Sequence, residues 1–216
     1  MDYESLRIIL GFCFLVPIVI LDIRQRTVPL VYFLIFACIT GVLWFLDPIP
    51  LWQFIPIPLY LLIWRVGIFG GGDVFALAIL TVMIGTNTIT GTEPIPFTLF
   101  LNSLLLSISI VGLNMLRNLT YYKQNGFLFS DLPGLTTKNK VIACCLGSRS
   151  KNPKNAFLME KTMGGQKTLD FKMRHAEHEQ FTDKKDVWVF ATIPFLVFIL
   201  GGLLIQLFYG DLIFHS

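Results

Sequence analysis

Residues 6–22 read LRIILGFCFLVPIVILD, an apolar run that ends on an aspartate. A membrane-spanning helix needs roughly 20 mostly apolar residues, so a run of this length is typical of one. The run is followed by Ile23 and Arg24 rather than by a small-residue cleavage site, which favours a retained first helix over a signal peptide. Asp22 itself calls for an explanation, because ionisable groups at membrane depth are costly.

The rest of the chain has the same apolar character. Hydrophobic residues make up 54% of the sequence and charged residues 14%, whereas a soluble domain carries about a quarter charged residues. Prolines crowd the start of the third apolar segment and predict that its regular helix begins only near Pro56 and Pro58. The sequence therefore predicts an all-α membrane protein with about six transmembrane helices. The predicted spans are 6–21, 28–46, 52–69, 73–86, 94–116 and 187–209.

The basic residues are concentrated in one part of the chain. Of the 17 Lys and Arg residues, 13 fall between Arg117 and Lys185. We therefore predict three parts: transmembrane helices 1–5 at 1–116, a basic insert at 117–186, and a sixth helix with a short outer tail at 187–216.

The orientation follows from the same residues. Six spans would put Arg24, Arg26 and Arg65 on the same side as the insert, while the loops at 47–51 and 87–93 contain no Lys or Arg. Cytoplasmic loops carry the excess of basic residues in membrane proteins. We expect a multi-pass protein of the cell membrane with a cytoplasmic insert and both termini outside.

The insert leaves two questions open. Its composition fits a small helical or mixed subdomain as well as a partly disordered segment. Its excess of basic over acidic residues fits contact with anionic lipid headgroups, and equally a loop that only enforces topology.

Two aspartates are the candidate catalytic residues. Asp22 closes the first predicted span and Asp73 opens the fourth, and these two spans run in opposite directions. Both carboxylates should therefore lie at the same depth, near the cytoplasmic boundary. Asp73 follows the glycines 70–72, which favour close approach of an extended peptide to the backbone.

Two neighbouring carboxylates have a well-understood use on peptide bonds. They share one proton, so that the ionised group activates a water and the protonated group polarises the carbonyl. Other readings stay open at this point: Asp73 is also a plausible N-cap of an ordinary helix, and Asp22 is also a plausible interfacial partner of Arg24 and Arg26.

These motifs resemble a known family. Segment 22–29 (DIRQRTVP) is similar to the first-aspartate signature of prepilin peptidases, and segment 70–73 (GGGD) matches their GxGD signature. The entry of residues 187–189 (VWV) into a last span after a long insert resembles the archaeal preflagellin (archaellin) and prepilin peptidases in particular. The chain departs from the family pattern at Leu30, where Asn is common, and at Phe75, where Lys is common.

The resemblance implies an aspartic endopeptidase that removes the short basic leader of type IV pilin-like or archaellin precursors at the cytoplasmic membrane face. It implies Asp22 and Asp73 as catalytic residues, Gly70, Gly71 and Gly72 as a substrate-binding or hinge segment, and neither cofactor nor metal. The expected partners are pilin-like precursors and the lipid bilayer, with no nucleic acid; the particular precursor and the oligomeric state stay open.

Two rival functions remain. A presenilin-like intramembrane protease also uses GxGD, but its Tyr-Asp and Pro-Ala-Leu motifs are not found here. A small transporter or channel using Asp22 and Asp73 as a cation or proton relay would need further polar groups inside the spans. Asn102, Asn114 and Gln206 are the few candidates.

Overall fold

The computed structural model describes residues 3–67, 69–85, 96–132, 134–163, 166–171, 181–191, 194–210 and 212. The predicted loop at 87–93 lies outside these residues. The chain divides into two compact units, one formed by Met1–Ser107 with Pro194–Ser216 and the other by Ile108–Ile193.

The first unit is helical in all its described elements. Helix α3 begins at Pro56, as the prolines predicted, and ends at Gly67, whose φ of 80° is the left-handed conformation that glycine adopts readily. Its helices are α1 (Tyr3–Gln25), α2 (Leu30–Leu46), a 3-10 helix (Leu51–Phe54), α3 (Pro56–Val66), α4 (Gly71–Ile84), α5 (Thr98–Ser107) and α8 (Phe195–Tyr209).

Helix α4 is the centre of this unit. Eight of its 14 residues are buried, and it contacts α1, α2, α3 and α8. A Cβ atom at Gly11 of α1 would come within 2.6 Å of the Ile84 side chain, so these two helices lie very close together. Helix α4 is therefore held by packing on several sides.

The outer faces of these helices are apolar. Helix α2 buries only Phe33, Thr40 and Leu43, while Phe45 is 83% exposed and Val31 63%. Exposed apolar surface of this extent marks an interaction with lipid or protein. Among the described residues, two helical stretches are long and apolar enough to cross a membrane, Tyr3–Gln25 and Thr98–Asn125. Four shorter apolar helices accompany them, and the count of six spans stays a prediction.

Buried polar side chains bond the ends of these helices. The Arg7 guanidinium donates to the Met83 carbonyl at 3.2 Å and the Leu43 carbonyl at 3.4 Å, and it pairs with Asp47 at 3.2 Å. Gln206 donates to the Gly85 carbonyl at 3.0 Å. These side chains add hydrogen bonds to carbonyls near the C-terminal ends of α2 and α4.

Helices α5 and α8 contact each other through small residues, which gives a first prediction. A Cβ atom at Gly202 would lie 2.8 Å from the Ser103 backbone nitrogen and 3.0 Å from the Leu99 carbonyl oxygen. Because backbone atoms cannot rotate away, we expect Gly202→Ala to lower the free energy of unfolding by about 1–3 kcal/mol. Thermal unfolding in detergent measures this. In the control Gly41→Ala, the new methyl group meets nothing within 4 Å, and a similar loss there would contradict the packing argument.

The second unit combines helices and sheets. It contains α6 (Ser109–Asn125), α7 (Thr137–Leu146) and the strands β1 (Ser148–Ser150), β2 (Ala156–Leu158), β3 (Glu160–Met163), β4 (Gln166–Leu169) and β5 (Val187–Ala191). Strand β5 lies between β1 and β2 and is antiparallel to both, while β3 and β4 form a separate antiparallel pair. Trp188 and Met159 are fully buried in its core.

Two expectations are corrected by this unit. The chain is mostly helical, but the two sheets make the all-α prediction wrong for the insert. The predicted sixth span also begins too early, because Val187–Ala191 is a strand and α8 begins only at Phe195. Val187 pairs with Ser150 and Val189 with Ser148, so cross-strand partners prevail over the apolar character of this run.

Candidate active site

Asp73 lies in the first turn of α4. Gly70 is the N-cap residue, with extended backbone at φ −68° and ψ 154°, and its backbone N–H donates a hydrogen bond to the Asp73 carboxylate. This is one half of a capping box, in which the third helical residue bonds back to the cap; the other half is missing because glycine has no side chain to cap the helix. The reading of Asp73 as the N-cap itself is therefore wrong, because Gly70 occupies that position.

Asp22 lies in the last turn of α1. Its carbonyl accepts a hydrogen bond from the Arg26 backbone N–H at 3.0 Å, and Arg26 ends the helix with a φ of 57°. The charge of Arg26 acts on the Asp22 carboxylate. Within the described part of the chain, Asp22 forms no ion pair within 4.0 Å, so the salt-bridge reading reduces to this longer-range attraction.

The two aspartates lie at neighbouring ends of α1 and α4. Helices α1 and α4 run in opposite directions, since Arg7 bonds to the Met83 carbonyl near one end of the pair and Asp22 lies near Asp73 at the other. The charge of Asp22 acts directly on the Asp73 carboxylate. Two like-charged groups held in this way favour the uptake of a single shared proton.

The glycines before Asp73 differ in conformation. Only Gly70 lies outside the helix, and Gly71 and Gly72 already belong to α4. None of the three has a positive φ, so the backbone conformation does not require glycine at these positions. A Cβ at Gly70 would stand 3.4 Å from an oxygen of Asp73, and one at Gly72 would stand 3.7 Å from the Phe33 ring.

An aromatic wall is formed by Phe33 of α2, Phe75 of α4 and Trp64 of α3. The Phe33 and Phe75 ring centroids are 6.1 Å apart, and those of Phe75 and Trp64 are 6.2 Å apart. Phe33 is buried, whereas Phe75 and Trp64 are 40% and 39% exposed. The sequence marked only Phe75, through its departure from the family pattern; Phe33 and Trp64 lie in apolar segments where nothing distinguishes them from their neighbours.

Part of this chain matches a known protein family. Residues 146–212 match the family model described as Archaeal Peptidase A24 C-terminus Type II. This match supports a member of the archaeal prepilin/preflagellin peptidase family. The resemblance expected from the sequence is thereby confirmed. Comparisons with curated proteins and with solved structures give no match.

The match supports a peptidase of the prepilin type. Together with the two long apolar helices, it indicates membrane association. It covers less than a third of the chain, namely the five strands and α8, and contains neither Asp22 nor Asp73. The catalytic assignment of these two aspartates therefore rests on their geometry.

Proposed function

We propose that this chain is a membrane aspartyl endopeptidase with Asp22 and Asp73 as its catalytic pair. The observation that supports the proposal is that the charge of Asp22, in the last turn of α1, acts on the carboxylate of Asp73, in the first turn of α4. In the wider proposal the chain is multi-pass, the insert and the site face the cytoplasm, and both termini lie outside.

The chemistry follows from a shared proton. The ionised carboxylate takes a proton from a water molecule while the oxygen of that water attacks the peptide carbonyl carbon. The protonated carboxyl donates a hydrogen bond to the developing oxyanion. The tetrahedral intermediate then collapses, the C–N bond breaks, and the leaving amine receives the proton taken from the water. Both carboxylates end in their starting protonation states.

The substrate class follows from the family and the surroundings of the pair. The family implies pilin-like precursors in general, and we propose that the cut removes a short basic leader just before the apolar helix of an archaellin or pilin-like protein. The aromatic wall of Phe33, Phe75 and Trp64 supplies apolar contacts for the start of that helix. Gly70, Gly71 and Gly72 carry no side chains that would obstruct an extended peptide, and we propose that they form the substrate-binding or hinge segment.

The alternative function, a transporter or channel with a cation or proton relay, would need polar groups besides Asp22 and Asp73, and its candidate residues are bonded elsewhere. The Asn102 amide donates to the Gly210 carbonyl at 3.0 Å, and the Asn114 amide donates to the Cys145 carbonyl at 3.0 Å. Together with Gln206 on Gly85, each of these polar groups bonds a backbone carbonyl. None continues a polar path from Asp22 and Asp73 among the described residues.

The function is tested on a purified precursor. We expect full-length protein in detergent to cut a pilin-like precursor once, immediately before its apolar helix, and to keep this activity in EDTA because two carboxylates suffice. Mass spectrometry of the products locates the cut. A precursor whose scissile bond is replaced by X-Pro serves as the control. A cut inside the apolar helix would favour the presenilin-like alternative, and no cut in any pilin-like precursor would contradict the proposal.

A further inference from the structure

A cavity of about 570 Å³ lies within the second unit, away from Asp22 and Asp73 in the sequence. One wall is the face of α6 that carries Leu113, Arg117 and Gln124, and another is the turn between β1 and β2 with Lys151 and Lys154. The volume falls inside the range of about 300–1,000 Å³ typical of small-ligand sites.

The charges of this cavity all have one sign. Arg117, Lys151 and Lys154 line it, and no Asp or Glu is among its described lining residues. Lys151 and Lys154 are exposed, as is Arg117, and the ion pairs found among the described residues include none of the three. The charge of Lys151 acts on Asp186.

Arg149 also lines the cavity but is not available to a ligand. Its side chain is 4% exposed and forms ion pairs with Asp131 and Asp186. Asp186 also accepts a hydrogen bond from the Tyr121 hydroxyl. Asp131 also pairs with Lys167 at 3.4 Å, so both acids already have ion-pair partners other than the three remaining cations of the cavity. Arg117, Lys151 and Lys154 form no ion pair within 4.0 Å among the described residues, although the charge of Lys151 acts on Asp186 at longer range.

The cavity is apolar at one end. Leu113 and Leu116 line it and are 45% and 62% exposed. They are the last apolar lining residues of the candidate span Thr98–Asn125, and Arg117 is the first charged residue of that helix. A helix leaving a membrane changes from apolar to cationic at the headgroup level, where anionic phosphates are found.

We propose that this cavity binds a phosphate-bearing anion, with the phosphate held by Arg117, Lys151 and Lys154. Arg and Lys are the side chains that recognise phosphate, Arg through paired N–H donors and Lys as a point charge. The phosphate comes either from the headgroup of an anionic lipid, whose chains lie along Leu113 and Leu116, or from a free anion. This site is independent of the proposed proteolysis.

The test measures binding to the full-length protein in detergent by native mass spectrometry and titration calorimetry. The probes are dihexanoyl phosphatidylglycerol and inorganic phosphate. We expect saturable binding of at least one probe, weakened by roughly tenfold or more in the double variant Arg117→Gln/Lys154→Gln, because charge-assisted hydrogen bonds are lost. Tighter binding of the lipid assigns the site to a headgroup, and equal or tighter binding of inorganic phosphate assigns it to a free anion.

The control removes the same charge elsewhere in the unit. Lys138→Gln/Lys161→Gln changes two exposed side chains that do not line the cavity, and its affinity should stay within about twofold of the wild type. Equal thermal midpoints of the two double variants show that folding is intact. Saturable binding by neither probe, or an equal loss of affinity in both double variants, overturns the proposal.

Discussion

Asp73→Asn and Asp22→Asn are each expected to lower kcat/KM for leader cleavage by about 1,000-fold or more. Asparagine keeps the shape of aspartate but can neither take a proton from water nor share one, so the general acid–base contribution is lost. The amide oxygen of Asn at position 73 still accepts the hydrogen bond from the Gly70 N–H. The start of α4 should therefore persist, and the loss should be chemical rather than structural.

The double variant distinguishes a catalytic pair from two separate residues. Groups that act as a unit are non-additive, so Asp22→Asn/Asp73→Asn should be no slower than either single variant. Rates of precursor cleavage, with thermal midpoints as a check on folding, measure this. The control Asp183→Asn removes an exposed carboxylate of the second unit and should retain full activity. Full activity in either single variant would contradict the pair.

The placement of the pair is the part of the site that sequence could predict. The order of the apolar segments predicted the end of α1 and the start of α4 at one membrane depth. That depth stays a prediction, while in the structure the charge of Asp22 acts on Asp73. The backbone detail could not be predicted, because residue types alone do not determine at which residue a helix begins, and here Gly70 is the cap of α4.

The strands of the second unit show why the rest could not be predicted. Residues 187–191 (VWVFA) are as apolar as a span, and nothing local distinguishes them from one. They form a strand because β1 and β2 lie on either side, at positions about 30–40 residues earlier in the chain. Such non-local partners decide strand formation, and a local pattern does not contain them.

A buried arginine, Arg149, supplies the second large expected effect. Its Nε donates to Asp186 Oδ1 and its Nη2 donates to Asp186 Oδ2, each at 3.1 Å. Its Nη1 donates to the Leu128 carbonyl oxygen at 3.0 Å. It also bonds Asp131, and its guanidinium lies 5.5 Å and 5.4 Å from the ring centroids of Tyr121 and Phe127. The side chain thus joins α6, β1 and the loops before α7 and β5.

We expect Arg149→Met to lower the unfolding free energy of the second unit by about 3–5 kcal/mol, because removing one partner of a buried ion pair leaves carboxylates without compensation. Arg149→Lys should recover only part, since an ammonium cannot bond both acids bidentately. Hydrogen exchange resolved to peptides of β1, α7 and β5 measures the loss within this unit. Lys184→Met, which removes an exposed charge, is the control, and equal exchange in both Met variants would contradict the prediction.

Because of the same ion pairs, we expect the second unit to lose stability at low pH. Burial alone would raise the pKa of Asp131, but its hydrogen bonds and charge contact with Arg149 lower the pKa below the ordinary 3.8. The hydrogen bonds from Arg149 likewise lower the pKa of Asp186. A lowered pKa means that the unfolded chain binds protons at higher pH than the folded chain. The stabilisation is therefore complete well above pH 4 and is lost as the pH falls through the lowered pKa values.

In Arg149→Met the carboxylates lose the contact that lowers their pKa values, so this part of the acid dependence should disappear. Hydrogen exchange at pH 6 and pH 3, corrected for intrinsic rates, compares the two proteins, and an unchanged acid dependence in the variant would assign the effect to other groups.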